Sequence, residues 1–392
     1  MLRNVIFWAH LLAGLTAGLV VFVLAVTGAL LAFEGQIEDW VRARAIEAPR
    51  DAAPLSVEVL LEATGAQPGQ VLTLPRGVGG LVTLSQGRLA SVIDPWSGAV
   101  VEGAGAGVAE FFLAVEGVHR WLAPGGRSDP GREVVGAANL LFLWLVVSGL
   151  YLWLPKAWRW TVLKTKLFFR RGLPTAQARD YNWHHVFGIW ALVPLFVIVL
   201  TGVVMSYSWA NALLYASVGE VVPQRGPPAN APAEGRNGTG GGQGVQRGAS
   251  NIPNALARQP LSGTPLSYAE LIAVAEETRP NWKRAQIAVP ESGAGVVALT
   301  LDAGNGQQPA AKTRLVMDRA TGAVIRTETG ATGTVGARLR LWARFAHTGQ
   351  YYGLVGQAVA GLASLAAAVL VYTGMALGLR RLWRMARPRR TA

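Results

Sequence analysis

The chain has 392 residues, of which 51% are hydrophobic and only 15% are charged, whereas the charged share of ordinary soluble proteins is about 25%. This composition excludes an ordinary soluble protein, and the lack of cysteine excludes disulfides, thiolate catalysis, iron–sulfur clusters and covalently attached c-type haem. The net charge of +13 is confined to three short segments. Binding to nucleic acid, which needs a continuous basic surface, is therefore not expected.

Four apolar runs are long enough to cross a hydrocarbon core of about 30 Å. They cover approximately residues 5–33, 134–154, 186–207 and 354–379. The first run is nearly twice as long as the ~7–15-residue apolar part of a signal peptide, so it is interpreted as an uncleaved span. The excess positive charge lies at Arg3, in 155–180 and in 380–392, and the positive-inside rule places these segments and both termini in the cytoplasm.

This topology divides the chain into four spans and two segments outside the membrane. The predicted divisions are a first span at 1–33, an outer segment at 34–133, a second span at 134–154, a basic cytoplasmic loop at 155–180, a third span at 181–207, an outer segment at 208–346, a fourth span at 347–379 and a basic cytoplasmic tail at 380–392. The predicted fold class is an α-helical membrane protein, a four-span bundle with two small α+β domains outside the membrane.

The outer segments contain short helices and strands in the same order. Ser56 is a plausible N-cap in the first segment, and Ser267 with Glu270 forms a capping-box pattern in the second. Apolar alternation bounded by glycine and proline predicts strands at 70–74, 81–84, 89–94, 100–101, 285–289, 295–301 and 312–318. Residues 219–263 are rich in Gly, Pro, Asn, Gln and Ala, which predicts a disordered linker.

The two halves of the chain repeat one pattern. The first half contains His10, Gly14, Thr27 and Gly28, and the second contains His184, Gly188, Thr201 and Gly202 at identical spacings. The turn Asp94–Gly98 matches Asp318–Gly322 in spacing and residue type. Repeats that agree at histidines, turns and span ends are hard to attribute to composition, so the chain is interpreted as two copies of one unit.

All five histidines lie at the ends of spans or of helices that lead into them. His10, His184 and His185 lie at the cytoplasmic level, and His119 and His347 lie at the outer level. In a helical bundle, histidines at one level on different helices can hold a cofactor between them, so two stacked bis-histidine sites are predicted. The repeat selects His184 over His185 as the counterpart of His10.

Haem is the preferred cofactor for these sites, although imidazole also suits zinc, copper and nickel. The spans lack carboxylates that would complete a non-haem site, and their apolar walls suit a buried macrocycle. Six glycines are expected to leave room for such a ring: Gly14, Gly18, Gly136, Gly188, Gly356 and Gly361.

The chain resembles the PepSY-associated transmembrane helix family of bacterial inner-membrane proteins. The motifs that carry this resemblance are His10-x-x-x-Gly14, the turns at 94–98 and 318–322, His119–Leu122, Trp183-His184 before Gly188, Met205–Asn211, and His347 before the last span. The resemblance covers nearly the whole chain and implies PepSY-like outer domains and two b-type haems. It implies that His10 pairs with His184 and His119 with His347 as axial ligands, while His185, where arginine is common in the family, leaves the choice at the inner site open.

The resemblance implies a ferric siderophore reductase. In this interpretation, electrons from an unidentified cytoplasmic flavoprotein or quinol cross the membrane and reduce a ferric chelate in the periplasm, with no side-chain acid or base required. One alternative is a binding or regulatory membrane protein whose outer domains dock an envelope protein. A transporter is a further alternative, since internal repeats occur in transporters, but it is weakened by the lack of charged residues within the spans.

Overall fold

A computed structural model describes residues 1–46, 53–77, 80–87, 89–156, 158–223, 260–306, 308–329 and 333–386. The chain forms two compact units. A helical unit contains Met1–Glu34, Glu110–Val221 and Leu339–Ala392, and a sheet unit contains Gly35–Ala109 and Val222–Arg338. Most of the predicted linker 219–263 lies outside the described residues, as does the end of the basic tail.

Three helices of the helical unit are long and apolar enough to cross a membrane. They are α1 (Leu2–Leu31), α5 (Asp129–Trp153) and α12 (Gly353–Ala386), the last preceded by a 3₁₀ turn at Gln350–Tyr352. Ser128 caps α5 by accepting a hydrogen bond from the backbone N–H of Gly131. The last helical residue is Trp153, and Leu154 is a non-helical C-cap because the residue before a proline, here Pro155, is disfavoured in helical geometry.

The third predicted span, 181–207, is not one continuous helix. The structure divides it into α7 (Ala176–Trp190) and α8 (Leu192–Ser206), which meet at Ala191 with a bend of 69°. Pro194 explains the bend, because proline has no N–H to bond the carbonyl four residues earlier and its ring collides with that carbonyl. If the bent pair is counted as one span, the described residues contain four candidate spans.

The long helices pack through small side chains. α1 lies against both α5 and α12, and α12 also packs against α7. Ala25, Ala363 and Ala367 are buried at these contacts together with Leu195. Small residues allow helix backbones to approach closely, which favours packing where no hydrophobic effect drives association.

The helical unit also contains shorter helices. They are α6 (Trp160–Leu167), α9 (Ser208–Ala216), and the last parts of α4 (Ala106–Trp121) and α11 (Val335–His347). α1 begins and α5 ends at one end of the bundle, where the Arg3 guanidinium donates to the Leu152 carbonyl at 2.7 Å. Arg380 near the end of α12 donates to Asp180 on α7 at 2.6 Å at this same end. We call it the basic end.

The sheet unit differs from the two separate α+β domains that the sequence predicts. Its strands are β1 (Val71–Pro75), β2 (Val82–Gln86), β3 (Leu89–Ile93), β4 (Val100–Val101), β5 (Arg284–Ala288), β6 (Val296–Asp302), β7 (Lys312–Asp318) and β8 (Val324–Thr329). They form one eight-stranded antiparallel sheet in the order β4-β3-β2-β1-β5-β6-β7-β8. The pairing of β1 with β5, centred on Thr73 opposite Gln286, joins the two halves.

Two short helices cover one face of this sheet. They are α3 (Val57–Ala63) and α10 (Tyr268–Glu276), and the helix α2 (Glu34–Ala43) precedes them in the chain. The predicted caps are confirmed, since the Ser56 side chain accepts from the Val59 N–H and Ser267 forms the full capping box with Glu270. Leu271 and Ala275 of α10 pack into the core of the sheet, which includes Ile287 and Leu299.

The two matching turns have the same hydrogen bonds. The carboxylate of Asp94 accepts from the Trp96 N–H, and that of Asp318 accepts from the Ala320 N–H, both at 2.9 Å. The backbone N–H and hydroxyl of Thr321 hold the pKa of Asp318 below its usual value, because they stabilise the ionised form. These carboxylates therefore have a structural role in closing the turns.

We expect the joined sheet to depend on its central strands more than on its outer ones. Ile287→Ala on β5 removes a fully buried side chain, whereas Ile325→Ala on β8 removes one that is 43% exposed. The first substitution should destabilise the sheet unit by about 2–5 kcal/mol and the second by less than about 0.5 kcal/mol. Urea unfolding of the full chain in detergent, followed by tryptophan fluorescence, measures both. Equal losses would contradict the central position of β5.

Candidate metal centres

Four of the five histidines contact a hydroxyl group on another helix. Each contact joins the ring Nδ1 atom to a serine or threonine Oγ atom. The pairs are His10 of α1 with Ser148 of α5 at 2.8 Å, His119 of α4 with Thr27 of α1 at 2.8 Å, His184 of α7 with Thr373 of α12 at 3.0 Å, and His347 of α11 with Thr201 of α8 at 3.3 Å. The sequence singled out these histidines, but it did not assign Ser148 or Thr373 any role.

The hydrogen bonds select one tautomer of each ring. Every partner hydroxyl donates its own hydrogen to a carbonyl one turn earlier, as Thr27 does to Val23 at 2.7 Å and Thr201 to Val197 at 2.6 Å. Such a hydroxyl is left to accept from the imidazole, so Nδ1 carries the proton. The Nδ1 of His347 also lies 2.8 Å from the carbonyl of Ile198, which can only accept. The Nε2 lone pair is then free to bind a metal.

A glycine follows each of these hydroxyl residues and allows the close approach. A Cβ atom added at Gly28, Gly149 or Gly374 would lie 3.1–3.3 Å from the Cε1 atom of the facing histidine. The fourth glycine, Gly202, differs because its neighbour is the side chain of Asn139, 2.9 Å from such a Cβ atom. Each pair Ser148-Gly149, Thr27-Gly28 and Thr373-Gly374 thus supplies both a hydrogen bond and the space for the ring.

His119 and His347 are brought together at one site. Their ring centroids lie 6.5 Å apart, with an angle of 63° between the ring planes. Imidazoles on opposite sides of one metal ion, each bound at about 2.0–2.1 Å, have centroids about 6–6.5 Å apart. The spacing of this pair therefore fits two axial ligands of a single metal.

His10 and His184 lie near the basic end, on helices that repeat the same contacts. His10 is seven residues from Arg3 on α1, and His184 is four residues from Asp180 on α7. Their neighbouring helix contacts are matched, since a Cβ atom at Gly14 would lie 3.8 Å from Leu145 and one at Gly188 would lie 3.8 Å from Leu370. That the two histidines share one site and jointly ligate a metal stays a prediction.

His185 has different surroundings from the other four histidines. Its Nδ1 lies 2.8 Å from the carbonyl of Tyr181 in the same helix, and its ring lies 4.1 Å from the Tyr181 ring. The backbone carbonyl of His185 accepts from the indole of Trp153. Among the described residues, no hydroxyl group on another helix contacts the His185 ring, so the geometry supports His184 as the counterpart of His10.

The two pairs lie at different depths of the bundle. α1 carries His10 and, 17 residues later, Thr27, which bonds His119. At a rise of about 1.5 Å per residue, these positions are about 25 Å apart along one unbroken helix. The two histidine pairs are therefore separated by most of a membrane thickness.

The ligand sets suit a macrocycle better than a bare metal ion. Among the described residues, no three side chains of His, Asp or Glu meet in a group that could hold a metal ion. A bare zinc site needs at least three protein ligands, whereas haem supplies the equatorial nitrogens itself and needs only axial side chains. The His119–His347 pair supplies two imidazoles, and their spacing is compatible with two axial ligands.

Most of the glycines expected to make room for a ring serve helix packing instead. A Cβ atom at Gly18 would meet Met375, and one at Gly136 would meet the Tyr207 hydroxyl at 3.0 Å. Gly356 lies against the backbone of Gly349, and a Cβ atom at Gly361 would lie 3.3 Å from Ala32. Only Gly14 and Gly188 have ordinary contact distances, so the sequence assigned too many glycines to the cofactor.

We expect the glycine beside His184 to tolerate no side chain. Gly374→Ala places a Cβ atom 3.1 Å from the ring, whereas Gly378→Ala on the same helix meets Leu15 at an ordinary 3.4 Å. Alanine is favoured over glycine in a helix by about 1 kcal/mol, so Gly378→Ala should be neutral or stabilising. Gly374→Ala should destabilise by about 1–3 kcal/mol through overpacking. Thermal unfolding in detergent compares the two, and equal stability would refute the close contact.

The comparison with known families covers almost the whole chain. The profile of the PepSY-associated TM region matches residues 7–381, which include all the histidines and hydroxyl partners described above. No curated protein matches the chain. The chain belongs to the PepSY-associated TM region family of membrane proteins.

Proposed function

We propose that the chain is an electron conduit of the bacterial inner membrane, with two bis-histidine b-type haems, that reduces a ferric siderophore in the periplasm. The observation that carries this proposal is the His119–His347 pair, whose rings lie 6.5 Å apart with Nδ1 of each directed to a partner on another helix. A pair of Nε2 atoms freed in this way is suited to axial ligation. A haem at each site would supply reversible one-electron chemistry.

The histidines have distinct roles in this proposal. His10 and His184 hold the haem near the basic end, and His119 and His347 hold the haem at the other level. The hydroxyls of Ser148, Thr27, Thr373 and Thr201 fix the ring orientations and keep the proton on Nδ1. Because the chain has no cysteine, both haems are held without covalent bonds.

The proposed orientation in the membrane rests on the distribution of charge. The basic end faces the cytoplasm by the positive-inside rule, with both termini inside. The electron donor is a separate molecule, a cytoplasmic flavoprotein or a membrane quinol, because the sequence contains no flavin or nicotinamide motif. Each ferric ion accepts one electron and becomes ferrous, and siderophores hold ferrous iron less firmly, so the reduction releases the metal.

We predict about two non-covalent haems per chain, each lost with its own histidine pair. His10→Ala or His184→Ala should remove one haem and keep the other, and His119→Ala or His347→Ala should do the reverse. His185→Ala is the matched control, since the His185 ring contacts the Tyr181 carbonyl of its own helix, and this variant should keep both haems. Absorption spectra and haem extraction of the purified variants measure these contents.

A colourless protein that takes up no added haemin would overturn the proposal. In that case a binding or regulatory role of the sheet unit becomes the better interpretation. If His185→Ala loses the haem at the basic end while His184→Ala keeps it, the ligand assignment within that pair is wrong.

We predict that the chemically reduced protein is reoxidised by ferric siderophores through the His119–His347 site. Variants lacking His119 or His347 should lose most of this reaction, although their remaining haem can still be reduced. Stopped-flow absorbance with a panel of ferric chelates gives the rates, with His185→Ala as the control variant. Reoxidation of the His119 and His347 variants at the parental rate would show that electrons leave by another route.

A further inference from the structure

Between α5 and α7 the chain carries five exposed cationic side chains. We call Lys156 together with residues 158–171 the basic connector. Within the described part of the chain, these five side chains make neither a hydrogen bond nor an ion pair, and they are Lys156, Arg159, Lys164, Arg170 and Arg171. Other basic residues at this end are engaged, such as Arg3 with the Leu152 carbonyl. The connector therefore has a concentrated charge without an internal partner.

The acidic group nearest in sequence is already occupied. Asp180 is the sole acidic residue between 155 and 180, and it is fully buried. Its Oδ1 atom accepts from Arg179 at 2.9 Å, and its Oδ2 atom accepts from Arg380 at 2.6 Å. A carboxylate bound by two arginines cannot also neutralise the connector, so among the residues that the structure describes no acidic group pairs with these five cations, and they are available to an anionic partner outside the chain.

Large aromatic side chains are exposed among these cations. Trp158, Trp160, Phe168 and Phe169 are each more than half exposed. Aromatic rings interleaved with lysine and arginine are typical of segments at a membrane interface, where the rings enter the headgroup region and the cations meet lipid phosphates.

The connector is fixed to α7 rather than loosely attached. The Asn182 amide donates to the carbonyls of Thr165 at 2.9 Å and Phe168 at 3.1 Å, and its oxygen accepts from the Arg170 N–H at 3.0 Å. The Trp190 indole donates to the Leu167 carbonyl at 2.9 Å. These bonds hold the backbone of residues 165–170 in one arrangement, so that Phe168, Phe169 and Arg170 extend from a built surface.

We propose that the basic connector is a binding surface for the headgroups of anionic phospholipids. Charge complementarity requires an anionic partner, and the exposed rings favour one with an apolar layer beneath its charges. A soluble acidic protein matches the charge but offers no such layer to all four rings. This binding does not depend on electron transfer or on haem.

The test uses the full chain in phosphatidylcholine bilayers with trace spin-labelled lipids. Electron paramagnetic resonance gives the association constant of phosphatidylglycerol relative to phosphatidylcholine. Each cationic side chain at a membrane surface contributes about fivefold, so the double substitution Arg170→Gln with Arg171→Gln should lower the preference at least tenfold. Arg326→Gln, at an exposed arginine of β8, is the matched control and should leave it unchanged.

A second variant tests whether the preference for anionic lipid depends on the arrangement of the connector as well as on its net charge. Asn182→Ala keeps every charge but removes three hydrogen bonds to the connector, so the preference for phosphatidylglycerol should fall several-fold. An unchanged preference in Asn182→Ala would refute the built surface, and if this variant does not fold, the arginine variants decide. A parent protein with no preference for anionic lipid would overturn the proposal, and binding of an acidic soluble protein in its place would assign the connector to that partner.

Discussion

The hydrogen bond from an imidazole Nδ1 to a hydroxyl on a neighbouring helix is the constraint on which the bundle depends. An imidazole at membrane depth is costly unless it has a partner, because no water is available there to satisfy it. Each partner hydroxyl is itself bonded to its own helix, as Thr373 is to the Val369 carbonyl at 2.8 Å. The contact therefore fixes the rotation and height of two helices together, and the adjacent glycine permits their approach.

The sheet unit also depends on a contact between the two halves of the chain. Each half contributes four consecutive antiparallel strands, and β1 and β5 would each be an exposed edge if the halves were separate. An exposed edge presents unpaired backbone groups and favours aggregation. Joining the two edges satisfies both, and it places the most buried strands, β5 and β6, near the centre of one sheet.

Much of this arrangement can be predicted from the sequence, and the exceptions have physical causes. The histidines could be found because their spacings recur, and the strands could be found because their apolar residues alternate. β8 was missed because most of its side chains are exposed, so no apolar alternation marks it. The β1–β5 pairing was missed because an edge strand and a central strand that are equally buried show the same alternation of apolar residues. This alternation therefore does not show which strands are neighbours.

The hydroxyl partners show a further limit. Ser148 and Thr373 are ordinary residues for a membrane helix, and only their position before a glycine, repeated at four contacts, distinguishes them. That signal acquires meaning only when the facing histidine is known. For the glycines, too many residues were assigned to the cofactor. The sequence cannot separate a glycine that accommodates a ligand from one, such as Gly18, that accommodates a neighbouring helix.

The bend at Ala191 makes the two halves of the chain structurally different. His10 and Thr27 belong to one continuous helix, so the length of α1 between them sets the distance between the two histidine levels. Their counterparts His184 and Thr201 lie on opposite sides of the break between α7 and α8. The two levels are therefore joined by one unbroken helix in the first half of the chain and by two helices that meet at a bend of 69° in the second half.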